Sequence, residues 1–192
     1  MALLLATSLG ACATRGHIAT PDEKARLTGA AGLSASGRLT LVGPKGKFAA
    51  RVVFGVARPD AVRIEIPAGT GLRFLLVTKG GTLRADLPGD DAMFEGPGTS
   101  EIMNGLFGID LSPEDLVGAI LGSPKPSLDV TWRFDKTLPA QVTIQGTNNT
   151  RLTLTLDDPE VASPPPQAFA FGPGRRQAWT LLEMSDRLGL TR

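Results

Sequence analysis

Cysteine and histidine, the residue types that build zinc sites and many nucleophile–base pairs, are scarce in this 192-residue chain. The sequence contains one cysteine, Cys12, and one histidine, His17, and both lie near its N-terminus. A catalytic histidine needs a neighbouring nucleophile and a third group that orients it, and zinc sites are built from several cysteine and histidine ligands. We interpret His17 as a solvated linker residue, and we expect no enzyme activity, no metal site and no cofactor.

Charge and loop motifs exclude further classes of function. The 20 lysine and arginine residues are balanced by 19 aspartate and glutamate residues, for a net charge of +1, whereas nucleic-acid binders gather a basic surplus on one face. The segment "GLSASG" lacks the second glycine of a hydrolase nucleophile elbow, and "GPKGK" lacks the spacing of a phosphate-binding loop. We therefore expect no nucleic-acid partner, and an envelope hydrolase is the weakest hypothesis.

The residues that precede Cys12 suggest a role for this cysteine. Cys12 follows a short apolar run, residues 2–9, of the kind found in signal peptides. The stretch "LGAC" resembles the bacterial lipobox, in which a peptidase cuts before the cysteine and the thiol then carries a lipid. This resemblance implies a signal peptide over residues 1–11, a lipidated flexible tether over residues 12–32 and, with Ala13 after the cysteine, an outer-membrane anchor facing the periplasm. The alternative is a buried cysteine in an N-terminal strand.

Beyond residue 33, apolar and polar residues alternate with a period of two, which predicts β-strands. The alternating segments are, in chain order, "GRLTLVG", "KFAARVVFGVA", "AVRIEIP", "LRFLLVTKG", "TLRADLPG", "LDVTWRFD", "AQVTIQG" and "RLTLTLDD". Each segment has one apolar face and one polar face, as expected of an antiparallel sheet that is covered on one side.

Two short helices are predicted between residues 99 and 121, where the alternation stops. The first lies in "TSEIMNGLFG" and has Thr99 or Ser100 as its N-cap. The second has Ser112 as its N-cap, Pro113 at its first position and acidic residues in its first turn. The apolar residues at helical spacing are Ile102, Met103, Leu106 and Phe107 in the first helix and Leu116, Val117, Ile120 and Leu121 in the second.

The C-terminal part predicts one more helix and a loop. The segment "RRQAWTLLEMSDRLGL" is amphipathic and predicts a third helix, with Ala178, Leu181, Leu182 and Leu188 facing inward. The proline-rich "ASPPPQ" excludes regular structure and predicts a loop that covers the sheet.

These elements predict one mainly β domain over residues 33–192. Eight or nine strands with one apolar face must curl or be capped, and only two or three short helices are available as caps. The fold class that satisfies this count is an antiparallel half-open, unclosed β-barrel with a helical lid. Such a barrel tends to hold an apolar cavity, although a fully packed core is the alternative.

The inward faces of the strands and helices predict the lining of that cavity. The predicted wall consists of Phe48, Val52, Phe54, Ile64, Phe74, Leu76, Trp132 and Phe134, and the predicted lid of Met103, Phe107, Leu116 and Ile120. Glycines that interrupt or end the lid helices, Gly105, Gly108, Gly118 and Gly122, predict a loosely packed lid.

Several strings in this order resemble a known family. The strings "ARPDAVRIEIPAGTGL", "GGTLRADLP" and "GIDLSPEDLVGAILG" are similar to the LolB and LolA-like outer-membrane lipoprotein-sorting proteins, and the resemblance covers about Ser34 to Pro159. It implies an unclosed barrel with a helical lid that binds acyl chains of lipoproteins or other lipids in an apolar cavity. It also implies a periplasmic carrier protein as a partner, and no cofactor or covalent catalysis.

One position departs from the family. The receptor touches the membrane with an exposed leucine in the loop between its third and fourth strands, and Ala68 stands at the matching place here. The resemblance therefore gives no support for a membrane-inserting loop at Ala68. The chief alternative to a lipid carrier is a structural or assembly lipoprotein with a packed core and a protein partner.

The lipobox makes a prediction about Cys12. In bacterial cells labelled with a fatty acid, the wild-type protein should take up label and lose residues 1–11, and Cys12→Ser should remain uncleaved or soluble because the acylated thiol is missing. The variant should keep the wild-type circular dichroism spectrum. Label retained by the serine variant would show that the anchor lies elsewhere.

Overall fold

The computed structural model describes residues 16–43, 46–69, 71–146, 149–172 and 176–188. The predicted signal peptide, residues 1–11, and the predicted lipid anchor Cys12 lie outside these ranges. Both stay predictions from sequence.

Eleven strands of the described chain form one sheet. They are β1 (His17–Ile18), β2 (Gly32–Gly43), β3 (Gly46–Ala57), β4 (Ala61–Ala68), β5 (Gly71–Lys79), β6 (Thr82–Leu87), β7 (Ala92–Pro97), β8 (Asp129–Asp135), β9 (Leu138–Gln145), β10 (Arg151–Glu160) and β11 (Gln177–Ala178). Their order across the sheet is β1-β8-β9-β10-β2-β3-β4-β5-β6-β7-β11. Neighbours pair antiparallel except β11, which runs parallel to β7.

The sheet ends in two short strands, β1 and β11, which the described strand order leaves unpaired with each other. The sheet is therefore unclosed, and the predicted mainly β, half-open architecture is confirmed. All eight segments with alternating residues contribute strands. The sequence pattern missed β7, because its six residues include Gly96 and Pro97 and only Ala92 and Phe94 are buried on it.

Four α-helices lie against this sheet in the described chain: α1 (Pro21–Thr28), α2 (Ser100–Phe107), α3 (Pro113–Ile120) and α4 (Leu181–Leu188). Two predicted helix starts are confirmed. The Thr99 hydroxyl accepts a hydrogen bond from the Ile102 N–H at 3.3 Å, and the Ser112 hydroxyl accepts one from the Asp115 N–H at 3.1 Å. Both are N-cap contacts that satisfy free backbone donors of a first turn.

The predicted flexible tether is wrong for residues 16–32, which are folded. In α1 the Thr20 hydroxyl and the Glu23 carboxylate cap the helix reciprocally. Leu27 is 2% exposed and belongs to the main core. The sequence pattern missed this helix because Leu27 is the only apolar residue buried in it. One such residue in a helix of eight gives no helical periodicity of apolar residues.

Polar contacts hold α1 against the rest of the chain. The Thr28 hydroxyl donates a hydrogen bond to the Gly122 carbonyl at 2.8 Å. The Arg58 guanidinium donates to the carbonyls of Thr28 and Leu121, both at 3.1 Å, and so ties the ends of α1 and α3 together. The Lys24 ammonium lies 4.8 Å from the centre of the Trp132 ring. Helix α1 is therefore part of the domain.

His17 is also placed differently from the prediction. Its Nε2 lies 3.0 Å from the Glu23 carboxylate, and β1, which contains His17, pairs with β8 at one edge of the sheet. The backbone N–H of Thr20, with further contributions from His17 and the Thr20 hydroxyl, holds the pKa of Glu23 below its ordinary value despite partial burial. His17 thus has a structural partner, and it does not belong to a loose linker.

The C-terminal helix begins later than the amphipathic pattern predicted. The Thr180 N–H and hydroxyl donate hydrogen bonds to the Glu183 carboxylate, a capping box that starts α4 at Leu181. Ala178 lies before it in β11 and is exposed, and Leu182 is 70% exposed. The buried side of α4 is centred on Met184 instead.

The predicted covering loop does cover the sheet, on its outer face. Residues 161–172 include a short 3₁₀ helix, Pro166–Phe169, whose Phe169 packs with Ala57, Ala61 and Val77 in a small second core. The larger core lies on the opposite, inner face, where side chains from all four helices join those of the strands. This inner face carries the candidate site.

A substitution in α1 tests whether that helix belongs to the domain. Leu27→Ala should lower the free energy of unfolding by about 3 kcal/mol, because it leaves a cavity in a closed part of the core. Arg26→Ala on the exposed side of the same helix is the matched control, since arginine and alanine have similar helix propensities. Urea unfolding measures both, and equal midpoints for the two variants would show that α1 is a detached tether.

Candidate functional site

An apolar cavity of about 380 Å³ lies between the inner face of the sheet and helices α2, α3 and α4. Its sheet side is lined by Leu39, Leu41, Phe48, Ala49, Ala50, Ile64, Ile66, Ala68, Arg73, Phe74, Leu76, Leu87 and Leu152. Its other side is lined by Gly89, Asp90, Met103, Phe107, Ile109, Leu116, Arg187 and Leu188. The volume falls within the range of about 300–1,000 Å³ that is usual for small-molecule sites.

Four of the predicted wall residues line this cavity: Phe48, Ile64, Phe74 and Leu76. Three of the predicted lid residues do so from the helices: Met103, Phe107 and Leu116. The rings of Phe74 and Phe107 meet edge to face, with centroids 5.9 Å apart and planes at 81°. This contact joins the sheet wall to α2 across one side of the cavity.

Five other predicted residues do not line the cavity: Val52, Phe54, Trp132, Phe134 and Ile120 are all 5% exposed or less and belong to the packed core. The Trp132 indole N–H donates a hydrogen bond to the Ala119 carbonyl at 2.9 Å. Alternation predicts the face of the sheet on which a residue lies, but it does not predict which part of that face borders the cavity. The part of the inner face around Trp132, next to Ala119 of α3, is solid, whereas Leu116 of the same helix borders the cavity.

The exposed residues of the lining show where the cavity reaches solvent. They are Ala68 and Arg73 in the β4–β5 hairpin, Gly89 in the 3₁₀ helix Pro88–Asp90, and Arg187 in α4. Ala68 is the position that departs from the family resemblance. It lies at the end of β4 beside this opening, paired with Gly71.

Three charged side chains stand around this opening. Arg187 donates hydrogen bonds to both carboxylate oxygens of Asp90, at 2.8 and 3.0 Å, which links α4 to the segment after β6. These hydrogen bonds and the charge of Asp90 raise the pKa of Arg187 above its ordinary value. Arg73 has no ion pair or side-chain hydrogen bond within the described ranges. The opening is thus polar and carries one uncompensated cation.

The glycines of the lid helices do not make the lid loose. A Cβ on Gly105 would stand 2.9 Å from a methyl group of Leu181, so this glycine lets α4 approach α2 closely. A Cβ on Gly118 would stand 2.7 Å from the Ser123 carbonyl oxygen. Gly108 has a φ of +68° and ends α2 in the left-handed conformation that glycine adopts without strain. These positions serve close packing and helix termination.

Sequence reasoning missed the three charged residues of the site. Arg187 was visible as a polar residue of the predicted C-terminal helix, but the pattern gave no reason to place that helix at the cavity. Asp90 follows the predicted strand segment "TLRADLPG", and no sequence pattern connects it with Arg187. Arg73 occupies a polar position of the alternating pattern, which by itself favours the outer face.

No group of three or more histidine, cysteine, aspartate or glutamate side chains that could hold a metal ion is found in the described part of the chain. Among those same residues, every helix is too short or too polar to cross a bilayer.

Two solved structures have a similar fold at low similarity. An uncharacterized conserved protein from Thermus thermophilus aligns with a TM-score of 0.41 and 9% identity, over 82% of this chain and 94% of that one. A domain described as a putative outer membrane lipoprotein-sorting protein domain, from Vibrio parahaemolyticus, aligns with a TM-score of 0.38 and 12% identity, over 72% of this chain and 88% of that one. No protein-family model and no curated protein sequence matches the chain. Similarity at this level carries no argument about function.

Dissolved xenon tests the cavity independently of any function, because xenon binds in apolar cavities of this kind. In methyl NMR spectra under xenon pressure, the signals of Ile64, Leu76 and Leu116 should shift. The signals of Leu33 and Val56, which are fully buried but do not line the cavity, should stay in place. Shifts spread evenly over both groups would show that the interior contains no distinct cavity.

Proposed function

We propose that this protein is a non-enzymatic carrier or receptor that binds an acyl chain of a lipoprotein or another lipid in its apolar cavity. The observation that carries the proposal is the cavity itself, with a nearly continuous lining of aliphatic and aromatic side chains and one polar opening. Methionine and mixed aliphatic side chains adapt to a chain of variable shape. No catalytic step is needed for such a role.

The hydrophobic free energy of burying an acyl chain is large enough for binding. Burial of a chain of about twelve carbons yields about 0.8 kcal/mol per CH₂, and several kcal/mol remain after the cost of ordering the chain and the protein. Leu76 on the sheet side and Leu116 on the helix side are each 3% exposed or less, so a bound chain would meet apolar side chains on both sides.

The proposal includes a place in the cell and a partner. The lipobox-like segment at Cys12 supports attachment to the outer membrane on its periplasmic side, and a periplasmic carrier protein would deliver the lipid to the cavity. The carrier role predicts a cavity under the residue 99–121 segment, and the structural-lipoprotein alternative predicts a solid interior. The cavity under α2 and α3 favours the carrier.

Filling the cavity tests the proposal. Ala50→Trp places a large side chain into the cavity and should weaken the binding of a fluorescent fatty-acid probe by about tenfold or more, equivalent to about 1.4 kcal/mol. Val53→Trp is the matched control, since Val53 is 49% exposed on the outer face of the same strand, and it should bind as the unmodified chain does.

The measurement uses full-length protein that carries Cys12→Ser, so that no attached acyl chain competes with the probe. Circular dichroism and urea unfolding must show that both tryptophan variants fold. If the folded parent protein takes up neither the acyl probe nor a lipopeptide, the carrier proposal fails and the structural lipoprotein takes its place.

A further inference from the structure

The cavity lining contains one irregular position in the sheet. Strand β5 pairs with β4 in regular register as far as Ile66 opposite Phe74, and the next pair is Pro67 opposite Leu72. Arg73 therefore has no partner residue in β4. This is the two-against-one arrangement of a β-bulge.

Arg73 lines the cavity at this bulge. Side chains of a regular strand alternate between faces, and β5 follows this rule beyond the bulge: Phe74 and Leu76 line the cavity, and Leu75 packs on the outer face against the cluster of Phe169. Bulges are frequent at barrel rims, where they can redirect a side chain, and the side chain at this bulge is a cation that borders the opening.

The charge of Arg73 is the uncompensated charge of the opening. The lining contains two arginines and one aspartate, and Asp90 is bound on both oxygens by Arg187. Arg73 has no acidic or hydrogen-bonding partner for its side chain within the described chain. Its guanidinium has five N–H donors and suits a carboxylate or a phosphate in bidentate geometry.

We propose that the ligand is an anionic amphiphile, whose carboxylate or phosphate group is bound by Arg73 while its chain occupies the cavity. This inference rests on the proposed function, and it names the chemical class of ligand that the site selects. The apolar lining binds the chain without regard to its head group. Arg73 selects ligands with a negative head group over uncharged ligands of the same chain length.

Three ligands with one chain length test the inference: dodecanoate, dodecyl phosphate and dodecanol. Each displaces a neutral fluorescent probe from the full-length Cys12→Ser protein at about pH 8, where the carboxylate is ionised. At low salt at least one of the two anions should bind about fivefold more tightly than dodecanol, as expected for an ion pair at a partly exposed opening. The stronger of the two anions identifies a free fatty acid or a phosphorylated lipid as the source.

The arginine is tested by substitution in the same assay. Arg73→Gln should remove the preference for anions and leave the affinity for dodecanol unchanged, and Arg73→Lys should keep most of the preference. Arg51→Gln is the matched control, because Arg51 is exposed on β3 of the same sheet and does not line the cavity. High salt should weaken the anion preference of the parent protein.

The outcomes separate this inference from the proposed function. If dodecanol binds as tightly as both anions, or if Arg73→Gln retains the preference, the role of Arg73 is overturned and the carrier proposal stands. If none of the three ligands displaces the probe and none binds directly by calorimetry, the carrier proposal itself fails.

Discussion

An unclosed sheet with one apolar face must have that face covered, and the rest of this structure follows from that constraint. The two ends of the described sheet are strands of two residues, β1 and β11, and they do not pair with each other. The strands therefore cannot bury their inner side chains by closing into a barrel. Four helices of eight residues each provide the cover. These helices are too short to cover the whole inner face of the sheet tightly, and the cavity lies where the cover is incomplete.

The two halves of the inner face are covered differently. On one half, α3 and α1 pack tightly around Trp132, and Arg58 and Thr28 join the ends of these helices through backbone carbonyls. On the other half, α2 and α4 pack on each other through Gly105 and Leu181, and the cavity lies beneath them and beside Leu116 of α3. The proposed carrier role would use the solid half to hold the helices in place and the open half to admit a chain.

In the proposed function, the apolar wall and the polar opening would have different tasks. An apolar wall binds chains in proportion to the area that they bury, so it distinguishes poorly among lipids. The pair of Asp90 and Arg187 is internally neutral, and Arg73, which has no ion pair within the described residues, borders the same opening at the bulge. Under the proposal, the wall supplies affinity for the chain and Arg73 supplies selection of the head group.

The sequence by itself determined the mainly β class, the face on which most strand residues lie, and the starts of α2 and α3. These features depend on local rules: alternation along a strand and N-cap chemistry at Thr99 and Ser112. The position of the cavity along the strands was decided only by the tertiary structure, because Phe54 and Phe74 have the same pattern, yet Phe54 packs in the core whereas Phe74 contacts Phe107 of α2 and lines the cavity. The folding of α1 depends on partners distant in sequence, such as Gly122 and Arg58. Arg73 lies at a register shift between two strands, and register is a property of the pairing that neither strand carries alone.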